Sequence, residues 1–189
     1  DHTARMTSDS AVRRLIALVA LAVFSGALVT RLTDPLVAVL AHDLGGTTAR
    51  AALLASAFAL PFALIQPILG PVGDALGKRR VMTGAVGLLT VLLIACSTAP
   101  DLNTLIVLRA LTGLAAGGLT PLAIALVADT APAHGRQVAL SRLVAFAISG
   151  QIAGGSFSGL LEPYIGWRGV MLGASAVAAA GFVSLILGG

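Results

Sequence analysis

This chain of 189 residues carries twelve Lys and Arg and eight Asp and Glu, so each charge inside an apolar stretch calls for a chemical reason. Arg109 is the plainest case. It falls seven residues into the run Leu102–Ala128, which at ~1.5 Å per residue puts it roughly 10 Å along the run. An ion at that depth is costly and faces a cavity or a partner. Three roles are open to it: holding an anionic substrate group, tuning the proton affinity of a nearby carboxylate, or serving as a buried hydrogen-bond hub to the first or second apolar run. Arg31 and Asp34 stand three apart, hence on one helical face. Asp34 is the carboxylate best placed to carry a proton, because no other falls clearly within an apolar run. An exposed interfacial ion pair is the alternative reading. Gln66 and Gln151 are neutral candidates for lining a cavity.

A second cluster is the polar stretch Gly70-Pro71-Val72-Gly73-Asp74-Ala75-Leu76-Gly77-Lys78-Arg79-Arg80. It sets one carboxylate beside three consecutive cations and is expected to form a short loop at a membrane surface. Asp74 and the cations there can form a latch that breaks when that side of the molecule opens. Its alternative is a solvated turn whose charges merely set topology.

These residues need long apolar elements to hold them. With 57% hydrophobic and 11% charged residues and a mean hydropathy of +0.98, the chain is far from the roughly 25% charge of a soluble domain. Six apolar runs are legible: Leu15–Ala41, Ala51–Leu69, Val81–Thr98, Leu102–Ala128, Val138–Leu161 and Gly169–Leu187. Each is long enough for the ~20 residues of a spanning helix, and their unbroken apolarity argues for helices rather than barrel strands. Internal prolines at 35, 61, 67 and 121 are expected to kink them. Short links make successive helices antiparallel neighbours. Eight of the twelve cations (Arg5, Arg13, Arg14, Lys78, Arg79, Arg80, Arg136, Arg142) fall on one side and three (Arg31, Arg50, Arg168) on the other. The excess points to a cytoplasmic (inner) membrane with both termini cytoplasmic. Glycines four apart at 113 and 117, 150 and 154, and 155 and 159 mark faces where helices can approach closely.

Several classes are excluded. The net charge of +4 does not signal nucleic acid, because the cations sit at helix ends and aromatics make up only 4%. The lone cysteine, Cys96, forms neither a disulfide within the chain nor a metal cluster. No cofactor is expected, since the phosphate-binding glycine–lysine loop is missing, and the serines near Ser156 lack Gly-x-Ser-x-Gly spacing. The chain reads as not an enzyme.

With these loops in place the chain resembles the amino-terminal half of a major facilitator superfamily transporter over nearly its whole length. The family's Gly-x-Leu-x-Asp-Arg-x-Gly-Arg-Arg loop is matched at Gly70, Asp74, Gly77, Lys78 and Arg79, departing at Val72 and Ala75. An Arg followed by glycines in the fourth helix is matched by Arg109, Gly113 and Gly117. Asp129, Pro132 and Arg136 match the next loop, and Gly166-Trp167-Arg168 the entrance to the sixth helix. The fifth helix carries Gly150, Gly154 and Gly159 of a drug–proton antiporter pattern, with Gly155 in place of its proline and Ser158 in place of a glycine.

The resemblance implies an all-α membrane protein. Residues 1–14 would be a cytoplasmic segment and 15–189 a six-transmembrane-helix bundle, one half of the family's fold. It implies a secondary transporter that works by alternating access, with membrane lipid, a small solute and protons as its partners and efflux as its direction. The other half would be a second copy, giving a homodimer, or a complementary six-helix half. The alternative is a fragment or accessory half without transport of its own. By pseudo-symmetry, Asp74 of one copy is expected near residues 136–138 of the other.

Overall fold

The computed structural model describes residues 2–133 and 135–188, with the side chains of residue 14 and of residues 16–133 and 135–188. The side chains of Arg5, Arg13 and Leu15 thus lie outside the described residues. The described residues hold no strand. The helices are α1 (His2–Arg31), α2 (Val37–Asp43), α3 (Thr48–Leu76), α4 (Lys78–Ser97), α5 (Leu102–Gly117), α6 (Leu119–Thr130) and α7 (Arg136–Leu187), with a 3₁₀ turn at Asp34–Leu36 before α2. α1 runs unbroken through residue 14, so no backbone boundary marks the end of an N-terminal segment there.

Five helical stretches are long and apolar enough to cross a membrane: Ile16–Asp43, Thr48–Leu76, Lys78–Ser97, Leu102–Thr130 and Arg136–Leu187. The last is the difference from six separate runs. The loop expected at 162–168 is absent, and helix continues to a single non-helical residue, Gly166, at φ 70°, ψ 166°. That φ is open to glycine and strained for residues with a Cβ. Packing shows what the break does. Against α1 and the 3₁₀ turn, residues 24, 28 and 35 meet 150, 154 and 159 in rising order, whereas Ala22 and Leu18 meet Gly181 and Ser184 in falling order. The chain therefore reverses direction at Gly166, and α7 has two antiparallel arms, 136–165 and 167–187.

Other expected boundaries shift for similar reasons. The loop expected at 70–80 shrinks to one residue: α3 continues to Leu76, Gly77 turns at φ 92°, and α4 starts at Lys78 rather than Val81. Pro61 and Pro67 lie inside α3 without ending it. Pro35, by contrast, sits in the first turn of the 3₁₀ segment, where its missing N–H is least disruptive. Gly118 separates α5 from α6 and so divides the fourth run. α5 opens on Asp101, whose carboxylate accepts the Thr104 N–H at 2.8 Å and its hydroxyl at 3.1 Å. That bonding, the backbone N–H foremost, holds the Asp101 carboxyl below its ordinary 3.8.

Two glycine seams set the helix spacing. A Cβ at Gly113 or Gly117 would run into the carbonyl oxygens of Phe58 or Phe62 on α3. At Gly150 or Gly154 it would run into those of Phe24 or Leu28 on α1. Gly155 and Gly159, read as a third seam, are not one: nothing lies within 4 Å of a Cβ at Gly155, and Gly159 makes ordinary contact with Pro35. α4 and the second arm of α7 hold each other reciprocally. Arg79 donates to the Leu185 carbonyl at 2.5 Å, and Arg168 donates to the Ser97 and Ala99 carbonyls at 3.0 and 3.1 Å. Each arginine thus serves the carbonyl-rich C-terminal end of the opposite helix, where a cation is favoured. The Trp167 indole donates to Asp43 at 3.1 Å and ties α2 to the same corner.

The seams give a contrast within one pair of neighbours. Gly154→Ala is expected to destabilise the solubilised protein by about 1–3 kcal/mol through overpacking. Gly155→Ala is expected to be neutral or to stabilise by up to roughly 1 kcal/mol. Thermal unfolding in detergent of the two variants checks the pair.

Candidate functional site

Arg109 is built into the centre of the bundle. Its side chain is fully buried, and both terminal nitrogens donate to the Val29 carbonyl oxygen, at 3.2 and 3.3 Å. That oxygen lies in the last turn of α1, which ends at Arg31; there it takes the Leu32 N–H at 3.4 Å in place of an i+4 donor and keeps room for the guanidinium. The guanidinium carbon lies 4.4 Å from the centroid of Phe58, and Phe62 stacks one turn further on at 5.4 Å. Among the described residues the Nε of Arg109 has no acceptor. Arg109 thus joins α5 to α1 through hydrogen bonds and to α3 through the Phe58 ring.

Phe58 is also the floor of a groove of about 320 Å³, which Thr30, Arg31, Asp34, Phe62 and Gln151 help to line. Three of the anticipated residues thus meet in one place. Asp34 takes a hydrogen bond from Arg31 at 3.2 Å, with side chains 38% and 62% exposed, so the pair is water-screened and weak. Gln151 reaches the groove because the 150/154 seam presses the first arm of α7 onto α1. Arg109 does not line the groove; its guanidinium lies over the Phe58 ring. Gln66 is elsewhere, in a second groove of about 200 Å³ beside Gly70, Asp74, Lys78 and Pro121.

The basic cluster resolves into separate bonds. Lys78 Nζ bridges two carboxylates, Asp74 at 2.6 Å and Asp129 at 2.8 Å, so one ammonium joins the ends of α3, α4 and α6. Asp74 therefore sits in the last turn of α3, paired across the Gly77 turn. Arg79 is committed to Leu185. Arg136 donates weakly to the Ala131 carbonyl at 3.4 Å and touches none of the others. Sequence reasoning missed Phe58, Phe62 and the Val29 carbonyl. The i, i+4 spacing of the two phenylalanines was a usable signal, but a backbone oxygen has none.

The sequence pattern of the Major Facilitator Superfamily matches residues 19–188. The chain belongs to the major facilitator superfamily. Among its relatives, the vacuolar basic amino acid transporter 2 of Saccharomyces cerevisiae is 34% identical over 61% of this chain and 24% of its own length. The MFS-type efflux pump MMF1 of Pseudozyma antarctica is 32% identical over 92% of this chain and 33% of its own. The chain thus spans a quarter to a third of those relatives. The solved structure of the proton:xylose symporter XylE superposes with a TM-score of 0.79 at 15% identity, over 95% of this chain and 45% of that one, a likeness of fold alone. This major facilitator superfamily chain is accordingly a multi-pass membrane protein of a transporter family, and its Gly70–Arg80 stretch carries the ion bridge just described.

The bridge predicts an order of effects. Lys78→Met should lower the melting temperature more than Asp74→Asn or Asp129→Asn alone, because each carboxylate variant leaves one Lys78 bond in place. Differential scanning fluorimetry of the three variants checks the ranking.

Proposed function

We propose that this chain is one six-pass half of a secondary active transporter, moving a small solute outward across a cytoplasmic (inner) membrane in exchange for protons. The observation that carries the reading is the groove that gathers Asp34, Arg31 and Gln151. It holds a carboxylate able to take up a proton, a cation beside it, a neutral amide and two aromatic rings. A binding site with few polar groups on an apolar wall suits a small amphipathic solute. The reversal at Gly166 supports counting six passes, which puts both termini on one side. The cation excess of eight to three supports the cytoplasm as that side.

In this reading a second copy, or a complementary half, covers the groove. The two units rock about it, exposing it to each side in turn. The Asp74–Lys78–Asp129 bridge holds the cytoplasmic ends of α3, α4 and α6 together while they move. Asp74, 67% exposed, keeps an oxygen for the partner's residues 136–138. The efflux-pump relative supports the direction, and the family supports the carrier mechanism over enzymatic chemistry.

Reconstitution into proteoliposomes with an entrapped pH-sensitive dye tests this. The unsubstituted protein is expected to release protons down an imposed gradient when a transported solute is supplied, and Asp34→Asn to lose that solute-dependent flux by at least tenfold. Equal flux from both would remove Asp34 as the proton carrier. A strict monomer in native membranes, by mass measurement, would remove self-pairing and leave the complementary half.

A further inference from the structure

The bonding of Arg109 is incomplete. A buried guanidinium has five N–H donors in a planar fork; here two share one carbonyl oxygen at 3.2 and 3.3 Å, and among the described residues Nε has no partner. A carboxylate would satisfy such a fork far better, through two parallel charge-assisted bonds. Asp34 is the carboxylate that shares the groove lining with Phe58. Phe58, 3% exposed, lines the groove together with Asp34 and holds the Arg109 guanidinium 4.4 Å from its ring centroid, while Arg109 does not line the groove. The ring face gives the cation partial compensation, and Phe58 is the side chain that neighbours both charges. Asp34 is left to Arg31, the exposed alternative.

We propose that Phe58 is a positioning residue that decides which arginine Asp34 pairs with. With the ring over Arg109, Asp34 holds Arg31 at the groove mouth. When the ring swings aside, Asp34 and Arg109 meet and the groove loses its free carboxylate. The aromatic plate thereby makes the two pairings mutually exclusive. This rests on the reading of Asp34 as the working carboxylate, and it adds the side chain that controls access to it. The residues that face Asp34 in the groove supply no other titratable partner than Arg31.

The test is a double-substitution cycle read by thermal unfolding of the full chain in detergent, so it needs no transport. With Phe58 present, Asp34→Asn removes only a screened pair and should shift Tm by about 1 °C or less. In a Phe58→Leu background Asp34 reaches Arg109, and adding Asp34→Asn should lower Tm by roughly 3 °C or more beyond the sum of the single changes. Phe58→Tyr, which keeps the ring, should restore additivity. Additive shifts in Phe58→Leu would overturn the proposal, as would equal coupling in Phe58→Tyr. Should Phe58→Leu not fold, Phe58→Met serves in its place with the same expectations. Coupling without solute flux in proteoliposomes would sink the transport reading alone. Flux without coupling would sink the Phe58 assignment alone.

Discussion

The bundle depends on one cation finding an oxygen in a place where water is scarce. Arg109 is fully buried, and its oxygen partner is the Val29 carbonyl. That carbonyl lies in the last turn of α1, where it also accepts the Leu32 N–H at 3.4 Å, and α1 ends at Arg31 just before the 3₁₀ turn around Pro35. The negative end of the α1 dipole then faces the guanidinium. A buried ion left unpaired would cost several kcal/mol, so the end of α1, the register of α5 and the position of α3 are coupled. Moving any one of them leaves the charge without its partner.

The glycine seams provide the distance control this requires. α5 can bring Arg109 under Phe58 because Gly113 and Gly117 let its backbone meet the Phe58 and Phe62 carbonyls directly. In the same way Gly150 and Gly154 bring Gln151 up to the groove beside α1. Without water to drive side chains together, such close backbone contact is how spanning helices gain dispersion energy. The periphery is held differently. Arg79 and Arg168 join α4 and the second arm of α7 at both ends, and Lys78 joins α3, α4 and α6 at one. These polar clasps lie at helix ends, where carbonyls are exposed, and leave the α1–α3–α7 groove free of them.

Much of this could be read from residue types. Arg109 stood out as an ion in an apolar run, Arg31 and Asp34 as a pair on one face, and Lys78 as part of a polar turn. Six apolar runs were visible, though the fifth and sixth meet at Gly166 with no loop between them. The sequence marked that place with Gly-Trp-Arg but could not say that a single residue would reverse the chain. Identical spacing misled at Gly155 and Gly159, because a four-residue interval fixes a helical face and not what lies opposite it. Gln66 and Gln151 looked equivalent for the same reason, yet they fall in different grooves. The decisive unknowns were a backbone carbonyl and a phenylalanine face, neither of which carries a pattern that residue chemistry alone reveals.

The central claim is that the face of this unit bearing Asp34 and Gln151 looks onto a water-filled path between two halves, not onto lipid. The most direct measurement is labelling of Gln151→Cys, with Cys96 replaced by Ser, in native membranes by a water-soluble, membrane-impermeant maleimide, alongside quenching of a fluorophore at that site by spin-labelled lipid. The account predicts ready labelling and little quenching by lipid. A site closed to the aqueous reagent and strongly quenched by lipid would contradict it.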